Sequence, residues 1–232
     1  MRSGFCFNGN KLNNLLISTS STFAETDGWY CESNTFDTAD YAVGFRFQVS
    51  DLYVDEQTLI QTVDTTNGDV GMSFTLIDNK LTFLNVDNYE ELFTITKINN
   101  WYFFYAHVME ESMTVYLYDC SDGTLLTDNL NISVFYPSNS KMVVMNNGLA
   151  NAPLVGSICD LIFDSGGDDD FWLFRDGGYR MTLYTMCCPM REGSGVVCRG
   201  VANTNLFLQT GGTYTAPAWV TLEGVHTGRR WQ

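Results

Sequence analysis

The sequence predicts an all-β protein whose central part forms one antiparallel β-sandwich, or jelly roll. Short apolar segments in the middle of the chain alternate with polar residues at a period of two, which is typical of strands that line a core. Gly, Asn and Asp separate these segments at short intervals and favour turns. Apolar residues make up 45% of the 232 residues and charged residues only 17%, which excludes a disordered chain.

The first predicted strands lie between residues 43 and 83. Val, Phe, Phe and Val alternate over residues 43–49, which predicts a strand with one buried and one solvated face. Residues 59–63 form a second candidate strand. Residues 72–76 and 81–83 alternate on either side of Asp78-Asn79, which predicts a hairpin.

The most apolar segment is Trp-Tyr-Phe-Phe-Tyr-Ala-His-Val, residues 101–108. A strand that is apolar on both faces belongs in the middle of a covered sheet or in a tight interface. Further short strands are predicted over residues 113–118, 124–126, 142–145 and 158–163.

The composition changes after Phe163. Residues 164–170, Asp-Ser-Gly-Gly-Asp-Asp-Asp, predict an acidic joint that divides the chain into a sandwich over 1–164 and a cysteine-bearing β extension over 165–232. The predicted strands of the extension lie at 179–186, 206–209 and 218–222. The pattern leaves open whether the extension completes the sandwich or forms its own lobe.

Seven cysteines indicate an oxidising compartment. They are Cys6, Cys31, Cys120, Cys159, Cys187, Cys188 and Cys198. No C-x-x-C pair occurs, so two or three disulfides are expected rather than zinc, with at least one thiol left over and the connectivity open. Asn131-Ile132-Ser133 is a glycosylation sequon, and together these features predict an extracellular or cell-surface protein.

The charge balance restricts the partners. With 27 acidic and 12 basic side chains, a net charge of −15 repels nucleic-acid phosphates and anionic lipid. No stretch of the sequence is long and apolar enough to cross a bilayer. The expected partners are other copies of the chain, other extracellular proteins, glycans and cations such as calcium.

Residues 5–163 resemble the concanavalin A-like jelly rolls, particularly the laminin-G-like and pentraxin-like domains. Phe5-Cys6-Phe7-Asn8-Gly9-Asn10 is similar to their opening strand, residues 41–49 to a strand of alternating large apolar residues, 99–108 to a Trp-to-His-Val strand, and 156–163 to the closing strand. The resemblance implies two packed antiparallel sheets, with ligands at a concave face or at the rim. It implies no single function, because this fold serves sugar binding, adhesion and glycan hydrolysis.

Catalysis is not expected. The hydrolytic branch of the resembling fold places its carboxylates in a Glu-x-Asp-x-x-Glu strand, and no such string occurs here. Glu90-Glu91 and Glu110-Glu111 are adjacent pairs, so the members of each pair point to opposite faces of a strand. No Gly-x-Ser-x-Gly motif is present either.

Two kinds of binding site are predicted. The resemblance implies a calcium ion at the rim, for which Asp64, Asn67 and Asp69 offer three oxygen donors beside Gly68, although an ordinary hairpin turn explains the same residues. Asp168, Asp169 and Asp170 are a weaker set. Trp29, Tyr30 and Tyr89, placed in polar loops, are the predicted aromatic platforms for a sugar.

The favoured function is a non-catalytic structural or adhesion module of a surface assembly or filament. A tail rich in Trp and Cys with an odd thiol supports it, because such a tail can add a strand to a neighbour or crosslink to it. The alternative is a carbohydrate-binding, lectin-like domain, and the sequence leaves open whether its binding depends on calcium.

Overall fold

A computed structural model describes thirteen parts of the chain, counting Phe171 as one part. They are residues 3–7, 28–31, 40–53, 55–64, 68–85, 89–132, 140–146, 152–164, 171, 186–188, 197–198, 206–209 and 218–221. Sixteen β-strands lie in these parts: β1 Ser3–Phe7, β2 Gly28–Cys31, β3 Tyr41–Val49, β4 Glu56–Asp64, β5 Val70–Ile77, β6 Lys80–Leu84, β7 Tyr89–Thr94, β8 Trp101–Met109, β9 Ser112–Asp119, β10 Leu125–Asn131, β11 Ser140–Val144, β12 Gly156–Asp164, β13 Met186–Cys188, β14 Val197–Cys198, β15 Leu206–Gln209 and β16 Ala218–Thr221.

The strands form two sheets of eight, which confirms the predicted all-β sandwich. Sheet A has the order β10-β9-β8-β3-β12-β1-β16, with β13 also paired to β12. Sheet B has the order β14-β15-β2-β11-β4-β5-β6-β7. The described strand pairs are antiparallel.

The core between the sheets is built on aromatic rings. Phe45 and Phe104 from sheet A meet Phe74 from sheet B, with ring centroids 6.3 Å and 4.8 Å from that of Phe74. All three side chains are fully buried. Rings at these separations add about 0.5–1.5 kcal/mol per pair beyond the area they bury, so this cluster helps to fix one sheet on the other.

The outer face of sheet A is buried as well, so the prediction of a solvated face on β3 is wrong. A second apolar cluster covers it, formed by Ala42, Phe103, Tyr105, Ile162 and Phe171. The ring of Phe171 stacks on that of Tyr116 at 4.7 Å, so the chain beyond β12 packs back on this face. The prediction that residues 101–108 lie in the middle of a sheet covered on both sides is confirmed.

The hairpin predicted at Asp78-Asn79 is confirmed. Ile77 pairs with Lys80, and the two turn residues have φ angles of 49° and 61°. Positive φ at both positions is the mark of a type I′ turn, and Asp and Asn tolerate it better than most residues. The turn therefore projects a polar tip from sheet B.

A bulge in β12 changes which strand lies beside it. β1 pairs with Gly156–Ile158 and β13 with Leu161–Phe163 on the two sides of the irregularity. At the bulge Asp160 has a φ of 52°, and its carboxylate meets Arg46 Nη1 at 2.9 Å. Both side chains are more than nine-tenths buried, and the Arg46 guanidinium also lies 5.0 Å from the centre of the Phe103 ring.

Strands from both sides of the predicted boundary at 164/165 share each sheet. β13 and β16 join sheet A through β12 and β1, and β14 and β15 join sheet B through β2. The described strands of the predicted extension therefore continue the two sheets. Within the described parts of the chain, no helix is long and apolar enough to span a bilayer.

Candidate functional site

An open groove of about 660 Å³ lies at one end of the sandwich. Three connections form it: the β3–β4 loop, the tip of the β5–β6 hairpin and the β7–β8 loop. Its described lining residues are Leu52, Tyr53, Asp78, Asn79, Thr96 and Ile98.

Tyr53 presents its ring to solvent from a held loop. Its side chain is 96% exposed, while its backbone N–H donates to the Asp51 carboxylate at 2.8 Å. Gln57 continues the support, because its amide donates to the Asp51 carbonyl at 2.6 Å and accepts from the Val155 N–H at 2.8 Å. The exposed ring thus has a restrained backbone beneath it.

The β7–β8 loop is tied to both sheets. The Ile95 N–H donates to the Asn79 carbonyl at 2.8 Å, and the Asn99 N–H donates to the Val49 carbonyl at 2.7 Å. The Gln48 amide donates to the Asn99 carbonyl, also at 2.7 Å. These bonds place Thr96 and Ile98 in the groove wall, where Ile98 is 53% exposed.

Lys97 anchors the same loop on its other side. Its ammonium Nζ lies 2.7 Å from Asp119 Oδ2 and 2.6 Å from Asp122 Oδ2, and 3.4 Å from the Ser121 hydroxyl. Asp119 also accepts from the Asn100 amide at 3.0 Å and from the Ser121 N–H at 2.8 Å. We call Lys97, Asn100, Asp119, Ser121 and Asp122 the loop clamp.

The loop clamp shifts the ionisation of its members. Burial alone would raise the pKa of Asp119, but hydrogen bonds from Lys97, Ser121 and Asn100 together hold that pKa well below its usual range. Hydrogen bonds to Asp119 and Asp122 raise the pKa of Lys97, and the bond from Lys97 lowers the pKa of Asp122. All three groups are therefore charged at neutral pH.

The described lining residues of the groove offer both apolar and polar groups to a ligand. An exposed aromatic ring and aliphatic side chains lie beside carboxylate, amide and hydroxyl groups, the combination that recognises a ligand with both apolar and hydroxyl-bearing faces. Retaining glycoside hydrolysis needs two carboxylates about 5 Å apart, and Asp78 is the one carboxylate among the described lining residues.

The aromatic residues predicted as platforms lie elsewhere. Trp29 and Tyr30 are not in a loop: both belong to β2, inside sheet B between β15 and β11. Tyr30 is only 2% exposed and packs with Val63 and Val143, so the prediction of an exposed ring there is wrong. Tyr89 is 52% exposed and begins β7, five residues or about 17 Å of strand from Thr94 at the groove end.

The described ends of the predicted calcium loop are hydrogen-bonded to each other. The Asp64 N–H donates to the Asp69 carbonyl at 2.8 Å, and the Gly68 N–H donates to the Asp64 carbonyl at 2.9 Å. Asp64 is buried, while Asn67 and residues 168–170 lie outside the described residues. Among the residues that the structure describes, no group of three His, Cys, Asp or Glu side chains is placed to hold a metal ion, and calcium binding stays a prediction.

The cysteine side chains that the structure describes are Cys31, Cys120 and Cys159, and no disulfide joins these three to one another. Burial raises the pKa of Cys120 to about 11, so this thiol is protonated at neutral pH. Cys198 and Cys31 both pair with Leu206, from opposite sides of β15, so their Cα atoms are two strand spacings, about 9.6 Å, apart. A disulfide spans about 7 Å at most, so this register excludes that pair.

The disulfides predicted for the remaining cysteines stay predictions. Cys6 lies in β1, and Cys187 and Cys188 lie in β13, opposite Ile162 and Leu161. The sequon residue Asn131 ends β10 and is exposed, as an acceptor of a glycan must be. Its glycosylation stays a prediction.

Sequence analysis did not single out the groove residues. Asp78 and Asn79 were expected only as turn residues, and Tyr53, Thr96, Lys97 and Ile98 were not singled out. A signal was nevertheless present, because Leu52-Tyr53 and Ile98 are apolar residues isolated within polar loops. Tyr53 and Ile98 are exposed, whereas Leu52 packs against the core, so this signal alone does not separate the exposed residues from the packed one.

Comparison with solved structures identifies the fold, whereas comparison of sequences finds no match. No family model and no curated protein sequence matches the chain. A Bacteroides ovatus protein to which carbohydrate binding has been attributed matches with a TM-score of 0.61 at 11% identity, over 96% of this chain and 61% of that one. A heptameric, SAP-like pentraxin of Limulus polyphemus matches with a TM-score of 0.53 at 9% identity, over 75% of this chain and 81% of that one.

A third similar structure is the extracellular region of the zebrafish receptor Gpr126/Adgrg6, with a TM-score of 0.50 at 11% identity. The match covers 73% of this chain but only 22% of the receptor region, and the chain likewise spans less than two thirds of the Bacteroides protein. At these identities the likeness establishes the fold alone. The chain has the concanavalin A-like jelly-roll fold that the order of its motifs predicted.

Proposed function

We propose that this chain is a non-catalytic, lectin-like binding module that takes a saccharide in the end groove. The observation that supports the proposal most is Tyr53, whose ring is 96% exposed on a loop restrained by Asp51 and Gln57. A ring in this setting offers a flat apolar surface to the C–H face of a sugar at little entropic cost, because its backbone is already ordered.

The polar side chains of the groove complement this ring. Asp78, Asn79 and Thr96 provide acceptors and donors that can hydrogen-bond the hydroxyl groups of a sugar. Asp78 and Asn79 sit on a type I′ turn, and Thr96 sits in a loop held by the clamp, so these groups are arranged before the ligand arrives. The carbohydrate binding attributed to the Bacteroides ovatus protein, which shares the fold, is consistent with this function.

The proposal is tested by replacing the ring. Tyr53→Ala should abolish or weaken at least tenfold the binding of the saccharide that a glycan array identifies for the wild-type chain. Folding should be unaffected, because a side chain that makes few contacts changes stability by about 0.5 kcal/mol or less. The measurements are array binding followed by calorimetric titration, together with thermal unfolding of each variant.

Tyr89→Ala is the matched control. It removes a second exposed tyrosine, the one predicted from the sequence as a platform, at a distance from the groove. It should leave affinity unchanged. If Tyr89→Ala loses binding while Tyr53→Ala binds fully, the binding site lies at β7 and the assignment of the groove as the site is refuted. Incubation of the bound saccharide with the protein should release no new reducing ends.

Several sequence predictions accompany this proposal. Secretion, calcium dependence of binding, contacts with other extracellular proteins and self-association into a surface assembly or filament all stay predictions. The adhesion function differs from the lectin function in its ligand, a protein rather than a glycan, and the array distinguishes them.

A further inference from the structure

We infer that the saccharide taken by the end groove carries a positive charge, as an amino sugar with a free ammonium group does. This inference rests on the proposed function, since it specifies the ligand class of the same groove. It follows from the charges around Tyr53 and from the ion pairs of Lys80 and Lys97, two of the described lysines, which lie in or beside the connections that form the groove.

The connections that form the groove are rich in carboxylates. Asp51, Asp55 and Glu56 flank Tyr53 in the β3–β4 loop, and Asp78 lines the groove from the opposite hairpin. Asp55 and Asp78 are exposed, so their charges act on the space in which a ligand would lie, whereas burial raises the pKa of Glu56. The whole chain has a net charge of −15, which adds long-range attraction for a cation.

Both lysines near the groove are already engaged by other carboxylates. Lys97 is held between Asp119 and Asp122 in the loop clamp, on the side of its loop opposite to Thr96 and Ile98. Lys80, next to the hairpin tip, is paired with Glu91 at 2.5 Å. Both ammonium groups are therefore already paired with carboxylates, while Asp78, whose charge also acts on Lys80, is the carboxylate that lines the groove.

Tyr53 strengthens the preference for a cation. The face of an exposed tyrosine ring attracts an ammonium group through its quadrupole, and this attraction adds to that of a carboxylate. A neutral sugar is held only by stacking on the ring and by hydrogen bonds, without the additional attraction between charges. A sialylated or sulfated sugar loses affinity, because it meets the Asp78 side chain with the same charge.

The experiment compares saccharides that differ only at nitrogen. Tetramers of glucosamine and of N-acetylglucosamine, and the corresponding galactosamine pair, are titrated calorimetrically into the full chain. The free-amine member of a bound pair should bind about fivefold more tightly than its acetylated member, a ratio consistent with one exposed ion pair and one exposed cation–π contact. Raising the salt concentration should reduce the ratio, because salt screens exposed charges.

Asp78→Asn is the decisive variant and Asp128→Asn its control. Asn keeps the size of the side chain and tolerates the positive φ of position 78, so the hairpin is preserved. The ratio should fall toward one in Asp78→Asn and stay at about five in Asp128→Asn, whose exposed carboxylate lies on β10.

The failure of this inference can be told apart from that of the proposed function. Equal or tighter binding of the acetylated members would overturn the cationic ligand class and leave the lectin function standing. A ratio unchanged in Asp78→Asn would overturn the role of that carboxylate. If the full chain binds neither member of either pair but binds a neutral or acidic saccharide on the array, the cationic ligand class alone is refuted. If it binds no saccharide at all, the ligand class and the lectin function are both refuted.

Discussion

Asp160 is the residue whose environment the sequence could least foretell. It stands in an apolar strand, Ile-Cys-Asp-Leu-Ile-Phe, and it is buried with Arg46 on the outer face of sheet A. The bulge turns Asp160 into the left-handed region, which Asp tolerates at lower cost than most residues. Asp160 thus has two roles: it adopts the positive φ that the bulge requires, and its carboxylate neutralises the buried charge of Arg46.

Asp160→Asn should therefore destabilise the fold through charge alone. Asn keeps the tolerance for positive φ and can accept one hydrogen bond from Arg46, but it removes the negative charge that the buried guanidinium meets at 2.9 Å. Removing one partner of a buried ion pair costs about 3–5 kcal/mol, and we expect a loss near 3 kcal/mol in urea unfolding at pH 7. Asp128→Asn, on the exposed side of β10, should change the free energy of unfolding by about 0.5 kcal/mol or less.

A loss below 1 kcal/mol in Asp160→Asn would contradict the buried pair. The double variant Arg46→Met/Asp160→Asn should recover part of the loss, because it removes the uncompensated charge together with its partner.

Tyrosines show what residue-level reasoning could predict and what it could not. Tyr30 and Tyr53 each stand in a three-residue apolar run with an acidic residue after it, yet Tyr30 is 2% exposed and Tyr53 is 96% exposed. The difference arises because Tyr30 lies between two partner strands, β11 and β15, that come from distant parts of the chain. The residues next to Tyr30 in the sequence do not predict which distant strands will pair with it.

At the scale of elements, the β7–β8 loop is the part on which the groove depends most. Backbone hydrogen bonds fix its two ends, and the Lys97 ammonium fixes its middle. The loop clamp should therefore determine how well Thr96 and Ile98 are positioned for a ligand.

Lys97→Met should lower stability at neutral pH and weaken saccharide binding, because Asp119 and Asp122 lose their shared cation and the loop loses its anchor. Lys80→Met is the control for stability, since Lys80 forms a single, more exposed pair with Glu91. We expect a lower urea midpoint for Lys97→Met than for Lys80→Met. Equal midpoints for the two variants would show that the clamp contributes nothing beyond an ordinary surface pair.

The clamp also predicts an acid dependence. The pKa of Asp119 is lower in the folded chain than the usual value of 3.8, so its contribution to stability is present above about pH 4 and is lost as the pH falls toward the folded value. The raised pKa of Lys97 works in the opposite sense, since its contribution is present below the usual 10.5 and is lost only above it. The free energy of unfolding, measured at several pH values from 5 down to 2, should therefore decrease more steeply with falling pH for the wild-type chain than for Lys97→Met.

Elements whose signal is local were predicted well. The β5–β6 hairpin follows from its alternating strands and its Asp-Asn turn, and β8 from an unbroken apolar run. By contrast β2, with four residues, was taken for a loop, because its pairing with β11 and β15 joins residues more than a hundred positions apart. The solvated face predicted for β3 failed for a similar reason, since the outer face of sheet A is covered by a cluster that joins Ala42 of β3 to Phe103 and Tyr105 of β8 and to the distant Phe171.

At the scale of the whole molecule, the two ends of the chain meet in one sheet. β1 lies between β12 and β16, with Ser3 opposite Thr221 and Cys6 opposite Ala218. The change in composition after Phe163 suggested a boundary, but composition does not reveal strand order. Only the pairing shows that the later strands continue both sheets.

The fold and the function were predictable to different degrees. The order of short alternating strands and the resemblance of the motifs predicted a jelly roll, because core periodicity is written along each strand. The groove was missed, because three separate connections build it and no motif in the sequence unites them. The fold in turn does not choose among adhesion, sugar binding and hydrolysis, so the function is argued from the site.

Chemical-shift mapping of the full chain with the saccharide found on the array is the measurement that tests the central claim most directly. The account predicts that the largest amide shifts occur at Leu52, Tyr53, Asp78, Asn79, Thr96 and Ile98, with little change along β10 or β2. Shifts confined to β2, β10 or Tyr89 while the groove amides stay unmoved would contradict the assignment of the end groove as the binding site.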